Sequence, residues 1–394
     1  METSDLRIAL FSGNYNYVRD GANQALNRLV GYFLRQGARV RVYSPMVENP
    51  AFPPTGDLVG LNSVSIPTRR EYRIPIGLSP EARRDLEAFD PNIVHISSPD
   101  IAAHRAITWA RRRGIATVAS VHTRFETYLA YYHLQFLEPA LRAAMRRLYR
   151  RCDAILVPAE STAAVLRAQR MSRNIHIWSR GVDREQFNPG RRDRDWRRSL
   201  GIADHELAIV FLGRLVVEKG LEEFAAALDL LTERKVPHHA LIIGEGPARG
   251  WFQDRMPEGV FVGHLVGGDL ARALASGDVF LNPSVTEAFG NVTLEAMACG
   301  LPVVAAAATG ATNLVLDGTT GILCDPGDTE AFADALEIYA HDRAMLERHG
   351  RAGIANASTR DWDEINSVVL DVYKRVIARR ERLARMAARR PALI

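Results

Sequence analysis

The sequence predicts an α/β protein of two doubly wound domains, each a parallel sheet covered by helices on both faces. Three observations predict it. Short β-branched runs alternate with amphipathic helical patterns, the mark of βαβ units. The alternation lapses near residue 190 and then restarts. Finally, 394 residues exceed one ordinary domain and suit two of about 150 to 200 residues each. Hydrophobic residues make up 47% and charged residues 24%, a globular composition rather than a disordered one.

In the first half the pattern begins with a strand at 6–11, a helix at 23–36 and a strand at 39–43. It continues with a strand at 93–96, a helix at 102–112, a strand at 117–121, a long helix at 134–150 and a strand at 154–157. The second half repeats it with strands at 207–212, 240–243, 260–262, 279–281 and 302–305. Between the halves, 188–205 carries Pro-Gly and many charges and reads as a linker. The domains expected are 1–187 and 206–361, followed by a terminal helix from 362 with a basic tail to 394. In open parallel sheets ligands collect beyond the carboxyl ends of the strands, so a cleft faced by both sheets is the expected site.

No apolar run reaches the roughly 18 residues of a membrane-spanning helix, and Met1-Glu-Thr-Ser-Asp5 is acidic where a signal peptide is basic. Cytoplasmic residence is the expectation. Cys152, Cys299 and Cys324 are odd in number and far apart, which suggests neither a disulfide framework nor a zinc site. Only Lys219, Lys235 and Lys374 are lysine among 50 basic residues, and this singles out Lys219.

The most informative stretch is Pro283-Ser-Val-Thr-Glu287-Ala-Phe-Gly-Asn-Val-Thr-Leu-Glu295-Ala-Met-Ala-Cys-Gly-Leu-Pro302. It sets Glu287 and Glu295 around a turn that opens a short helix. Phe289, Gly290 and Asn291 expose backbone N–H groups where that helix starts, a ready anion site. Glu295, in the first turns, can accept hydrogen bonds from a ribose diol. Gly300 stops the helix and Pro302 forbids its continuation. Two Glu at this spacing also arise in ordinary helical proteins.

The string resembles the Glu-x7-Glu signature of retaining glycosyltransferases of the GT-B fold, in particular family 4, which includes mannosyl-, glucosyl- and sulfoquinovosyltransferases. Gly213-Arg214-Leu-Val-Val-Glu-Lys219-Gly220 resembles the same family's Gly-Arg-x4-Lys-Gly element, in which Arg and Lys neutralise the donor diphosphate. Fixed cations there stabilise the charge that gathers on a departing nucleoside diphosphate; the competing reading is a salt-bridged helix start. Ser120-Val-His122-Thr-Arg124 resembles the Ser-x-His-Thr strand end of lipid-directed relatives, in which histidine meets the donor sugar and shapes the acceptor site. His122 is otherwise a satisfied histidine at a strand end, the reading kept for His95. Gly21 stands alone in the first loop, where many relatives have two glycines, and offers close backbone approach or an unusual backbone angle.

The resemblance implies a retaining hexosyltransferase that needs no metal and no cofactor. Catalytic roles fall to His122, Arg214, Lys219 and Glu287, and donor binding to Gly21, Arg214, Lys219, Glu287, Phe289, Gly290, Asn291 and Glu295. The implied partners are a UDP- or GDP-sugar, a lipid acceptor of diacylglycerol, phosphatidylinositol or ceramide type, and an anionic membrane surface at the inner face of the cell membrane, with no nucleic acid. Arg142, Arg146, Arg147, Arg150 and Arg151 on the long helix favour that surface, as do Lys374, Arg375, Arg379, Arg380, Arg382, Arg385, Arg389 and Arg390 on the last. The bland reading of the latter set is a solvated helix end. A soluble or polyisoprenoid-linked saccharide acceptor, an epimerase and a nucleotide-sugar sensor are the alternatives. Gly244-Glu-Gly246-Pro-Ala-Arg-Gly250 spaces its third glycine wrongly for a dinucleotide fingerprint and looks like the family's loop beside the nucleotide. Asp193-Arg-Asp195 and Asp361-Trp-Asp363 match a metal-binding Asp-x-Asp by chance of position.

Overall fold

The computed structural model describes residues 1–66, 69–122, 135–287, 289–308 and 310–388. It divides into two compact units, Met1–Ser179 together with the segment beginning at Asp363, and Arg180–Trp362.

In the first unit, strands β1 (Arg7–Phe11), β2 (Arg39–Ser44), β3 (Asp57–Gly60), β6 (Ile93–Ile96), β7 (Ala116–Ser120), β8 (Ala154–Val157) and β9 (Ile175–Ile177) form one sheet in the order β3-β2-β1-β6-β7-β8-β9. Every pairing in it is parallel. The missing numbers, β4 (Ser63–Ile66) and β5 (Arg69–Pro75), are an antiparallel pair. Helices α1 (Gly21–Arg35), α2 (Pro80–Phe89), α3 (Ile101–Arg112), α4 (Glu138–Tyr149) and α5 (Glu160–Ala168) connect the strands. Because both faces are covered, β6 and β8 are buried at every position, as parallel strands require.

The second unit holds α6 (Arg194–Ser199), β10 (Leu207–Leu212), α7 (Leu221–Glu233), β11 (His238–Ile243), α8 (Arg249–Arg255), β12 (Val260–Gly263) and α9 (Gly267–Ala275). It continues through β13 (Val279–Asn282), α10 (Asn291–Ala298), β14 (Val303–Ala306), β15 (Gly321–Cys324), α11 (Thr329–His341) and α12 (Arg343–Ser358). Its sheet runs β12-β11-β10-β13-β14-β15, again parallel throughout. Both sheets therefore reverse direction of growth once, between β1 and β6 and between β10 and β13, and ligands in such sheets bind beyond the strand ends at that point.

The last helix, α13 (Trp362–Ala388), returns to the first unit. Asn366, Val369, Val372, Tyr373, Val376 and Ile377 bury one face, and Tyr373 stacks on Phe33 with ring centroids 5.1 Å apart. Arg380 joins Asp153 at 2.8 Å, so this member of the basic set serves the fold. From Glu381 to Ala388 the helix is exposed, and Arg389 and Arg390 lie outside the described residues.

The expected linker at 188–205 is corrected. These residues belong to the second unit. Asp193 caps α6 by accepting from the Trp196 amide at 2.9 Å, and Arg197 is buried against Asp278 at 2.6 Å. The boundary falls instead at Ser179 and Arg180, because two charges of the expected linker, Arg192 and Arg197, pair with the buried Asp278 far along the chain. The expected helix at 23–36 also starts earlier, at Gly21, and the long helix starts at Glu138, with Leu134 outside the described residues.

Burial pushes the His95 imidazole down from 6.5 to about 3. The folded chain keeps His95 neutral while the unfolded chain takes up a proton below pH 6.5, so stability falls as pH drops from about 6.5 towards 3. The contribution is at most about 1.4 kcal/mol per pH unit. Urea titrations at pH 7 and pH 5 should show a smaller acid loss in His95→Gln than in the wild type, and equal losses would refute the assignment.

Candidate functional site

The reversal in the second sheet lies between β10 and β13, and the segments leaving those two strands are the two singled out in the sequence. After β10 the chain runs through Gly213 and Arg214 into a 3-10 turn at Val217–Lys219, and Gly220 then takes a left-handed conformation (φ 72°) to start α7. A side chain at Gly220 would press on the backbone and ring of Pro283, 3.0 to 3.2 Å away, so glycine lets the two segments touch. The Glu218 carbonyl accepts from the Thr286 hydroxyl at 3.1 Å and the Ser284 hydroxyl at 3.4 Å. Lys219 Nζ donates to Glu287 Oε1, completing an ion pair that is three-quarters or more shielded from solvent. Lys219 thus stands on a 3-10 turn rather than at a helix start.

Beyond Glu287, Phe289 is buried and the Arg360 guanidinium lies 5.8 Å from its ring centroid. Gly290 adopts φ 93°, ψ 58°, and α10 begins at Asn291. The N-cap residue Gly290 has no side chain to cap this end, and the first intrahelical bond runs from the Leu294 amide to the Gly290 carbonyl at 3.2 Å. The amides of Asn291, Val292 and Thr293 therefore point out of the helix as donors for an anion. Asn282, at the end of β13, locks this turn: its amide donates to Thr293 Oγ1 at 3.1 Å and its carbonyl oxygen accepts from the Ser284 amide at 3.2 Å. Glu295 follows one turn into α10, half-buried, and its charge helps burial raise the Cys299 thiol.

The Gly244-Glu-Gly246 loop has a clear local cause. The Leu215 amide donates to the Glu245 carbonyl at 2.9 Å and the Gly244 amide to the Gly263 carbonyl at 2.9 Å. A Cβ on Gly244 would collide with the Gly213 carbonyl, and one on Gly246 with that of Leu215. These glycines let β11's exit loop lie against the Arg214 segment.

The structure thus brings Arg214, Lys219, Glu287, Phe289, Gly290, Asn291 and Glu295 onto neighbouring segments of the second unit. Gly21 and His122 lie in the first unit. Gly21 is the first residue of α1, in helical conformation, so the unusual backbone angle allowed for it is not used. Asp20 caps that helix by accepting from the Asn23 amide at 2.9 Å, which satisfies with a carboxylate what α10 leaves open. His122 stands two residues beyond β7 with Nε2 2.8 Å from Ser120 Oγ, while Thr123 and Arg124 lie outside the described residues. Ala288 is likewise outside them.

Two participants were missed in the sequence. Gly310 abuts Glu287, where a Cβ would come within 2.8 Å of the Glu287 carbonyl oxygen. Its only signal was the run of small residues around it. Arg360 gave none. Of the two Asp-x-Asp strings, Asp193 is the cap already described and Asp363 pairs with Arg35 at 2.5 Å. Among the described residues, no group of three or more His, Cys, Asp or Glu is disposed to hold a metal ion, and no helix is long and apolar enough to cross a membrane.

Residues 206–342 match the family model described as glycosyl transferases group 1, and residues 19–186 match the one described as glycosyltransferase family 4. Sulfoquinovosyl transferase SQD2 of Arabidopsis thaliana is 33% identical over 367 residues, which cover 90% of this chain and 71% of the relative. A GDP-mannose-dependent alpha-mannosyltransferase of Mycolicibacterium smegmatis is 32% identical over 383 residues, 95% of this chain and 99% of the relative. Among solved structures, sucrose-phosphate synthase of Thermosynechococcus elongatus superposes with a TM-score of 0.75 at 21% identity, covering 94% of this chain and 99% of the other. HepE of Anabaena in complex with UDP and glucose gives 0.72 at 21% identity, covering 93% and 99%. Both likenesses concern the fold.

Proposed function

Because this chain belongs to glycosyltransferase family 4 and has the GT-B fold, we propose that it moves a hexose or uronic acid from a nucleotide sugar to a membrane lipid, with retention of configuration and without a metal ion. The observation that carries the reading is the uncapped start of α10 beside the Lys219–Glu287 pair, at the reversal point of the second sheet. An N-terminus with open amides and an adjacent cation suits a sugar diphosphate. The names of the relatives support the donor class, since one uses GDP-mannose and another transfers sulfoquinovose.

On this reading Arg214 and Lys219 neutralise the diphosphate, Glu295 accepts from the ribose hydroxyls, and Glu287 with the amides of Phe289, Gly290 and Asn291 orients the sugar. His122 serves as hydrogen-bond partner of a substrate hydroxyl. The bond from the anomeric carbon to the phosphate oxygen breaks as the acceptor oxygen bonds to that carbon, and the acceptor's proton passes to the departing phosphate. The two Glu therefore recognise hydroxyls and do not act as a hydrolase's acid and nucleophile.

The lipid acceptor is supported by the exposed end of α13, where Leu383 and Met386 stand among Arg379, Arg382 and Arg385, and by Arg147 and Arg150, exposed on and just after α4. Each basic residue near an anionic leaflet adds on the order of 1 kcal/mol of attraction. The protein then works as a peripheral enzyme at the inner face of the cell membrane. Mass spectrometry of the organic phase, after incubation with mixed nucleotide sugars and a bacterial lipid extract, tests this. A hexose- or uronate-shifted lipid is expected, absent from a control without enzyme and roughly a hundredfold or more weaker with Lys219→Ala. Nucleotide release with a product only in the aqueous phase would replace the lipid by a soluble saccharide.

The two carboxylates should separate kinetically. Glu295→Ala is expected to raise the donor Kd about tenfold with saturated turnover within about threefold of wild type. Glu287→Ala should lower turnover about a hundredfold with donor affinity nearly kept, since misplacing the sugar costs rate rather than binding. Indistinguishable profiles would rule out the division of roles.

A further inference from the structure

Behind His122 the first unit holds a line of polar side chains that a packed core normally excludes. His95, Ser120 and Tyr373 are all buried, the first and last completely. Tyr373 Oη lies 2.6 Å from His95 Nδ1, His95 Nε2 lies 2.9 Å from Ser120 Oγ, and Ser120 Oγ lies 2.8 Å from His122 Nε2. The line starts on α13, crosses from β6 to β7 and ends at the histidine beyond the strand.

A chain of shared protons has a direction, and here the buried end sets it. His95 Nδ1 is the one hydrogen-bond partner of the Tyr373 hydroxyl among the described residues. Were the hydroxyl to accept from His95, its own proton would be buried without an acceptor, at a cost of about 1–3 kcal/mol. Tyr373 therefore donates. Burial keeps the phenol protonated by raising its pKa, and keeps His95 neutral by lowering its own to about 3. A neutral His95 that accepts at Nδ1 carries its proton on Nε2 and donates to Ser120 Oγ. The Ser120 hydroxyl, already accepting, has one proton to give, and His122 Nε2 is the acceptor within reach.

We propose that Tyr373, His95 and Ser120 form a one-way hydrogen-bond relay that holds His122 neutral in its Nδ1–H tautomer, presenting Nδ1–H as a donor. This is the tautomer a free neutral imidazole disfavours, so the protein must impose it. It rests on the reading in which His122 meets a substrate hydroxyl, and it deepens that reading: His122 donates to the hydroxyl oxygen. The three relay members are positioning residues. The same helix braces the ring a second way. Asn366, two turns before Tyr373, accepts from Trp178 Nε1 at 3.1 Å, and the buried Trp178 meets the His122 ring edge-to-face at 5.3 Å.

Nitrogen NMR of protein labelled with 15N-histidine, its signals assigned with His122→Gln and His95→Gln, reads the tautomer directly. At pH 7.5 His122 should show a protonated Nδ1 and an unprotonated Nε2. Tyr373→Phe keeps the stacking on Phe33 but removes the proton that gives the relay its direction, so His122 should become a mixture containing the Nε2–H form. Ser120→Ala, a smaller change, should do the same if the phenylalanine variant fails to fold. Saturated turnover should fall about tenfold in either variant with donor KM within about twofold, the split expected when a donor is misoriented rather than a site lost. A wild-type His122 found as Nε2–H or as imidazolium, or a signal unmoved in both variants, overturns the relay. Relay signals as expected with His122→Gln fully active would leave the relay standing and sink the substrate role of His122 instead.

Discussion

Lys219→Ala is expected to cut turnover by roughly a hundred- to a thousandfold while the second unit stays folded. Removing one preorganised donor that faces developing charge costs about that much in acyl-transfer enzymes, and a departing nucleoside diphosphate, like a carbonyl oxygen, develops about one unit of negative charge. The lysine is placed for this by three features: the 3-10 turn that carries it, the left-handed Gly220 after it, and the Glu218 carbonyl clamped by Ser284 and Thr286. Its pairing with Glu287 is largely shielded, so some loss of stability accompanies the substitution. The rate must therefore be measured below the melting temperature of the variant, where the second unit is folded. Lys219→Arg should recover part of it, because charge survives while the point geometry of an ammonium does not. Single-turnover rates with saturating donor decide the matter. Turnover within threefold of wild type would show that Lys219 carries no charge stabilisation.

Asp278→Ala is expected to destabilise the second unit by about 3–5 kcal/mol, the cost of leaving a buried cation without its partner. The Asp278 side chain is 1% exposed and that of Arg197 2%. Asp278 accepts from Arg197 Nη1 at 2.6 Å, from Arg192 Nη2 at 2.7 Å and from the Ala208 amide at 2.9 Å. These bonds fasten the start of β13 to β10 and to the segment before α6. Burial alone would raise the Asp278 carboxyl, yet Arg192 and Arg197 hold it below the usual aspartate range. Its contribution is thus complete above about pH 4 and is lost as pH falls through the lowered value. Asp278→Leu combined with Arg197→Met, which replaces the pair by apolar side chains, should regain most of the loss. Thermal melts of the two variants test this; a single variant within 1 kcal/mol of wild type would show the cluster to be dispensable.

Most strands of both sheets and the Glu287–Glu295 segment were legible in the sequence because their signals are local. A run such as Leu207–Leu212 reads as a buried strand from six consecutive residues, and the turn at Phe289 and Gly290 carries its glycine in place. What was not legible depends on distance along the chain. Arg197 meets Asp278 across 81 positions, so the charges at 188–205 looked solvated and the segment passed for a linker. Tyr373 meets His95 across 278 positions, and nothing in the neighbourhood of either residue announces the relay. The edge strands β3, β9 and β15, and β4 of the antiparallel pair, lack the run of consecutive buried residues that marks β6 or β8, and so gave no comparable signal.

Calorimetric titration of the full chain with UDP and with GDP tests the central claim most directly, namely that the segments at 213–220 and 283–295 hold a nucleoside diphosphate. One of the two nucleotides should bind one-to-one, and Arg214→Ala should weaken it about thirtyfold, the worth of a charge-assisted hydrogen bond of about 2 kcal/mol. Binding of neither nucleotide, or wild-type affinity in Arg214→Ala, would contradict it.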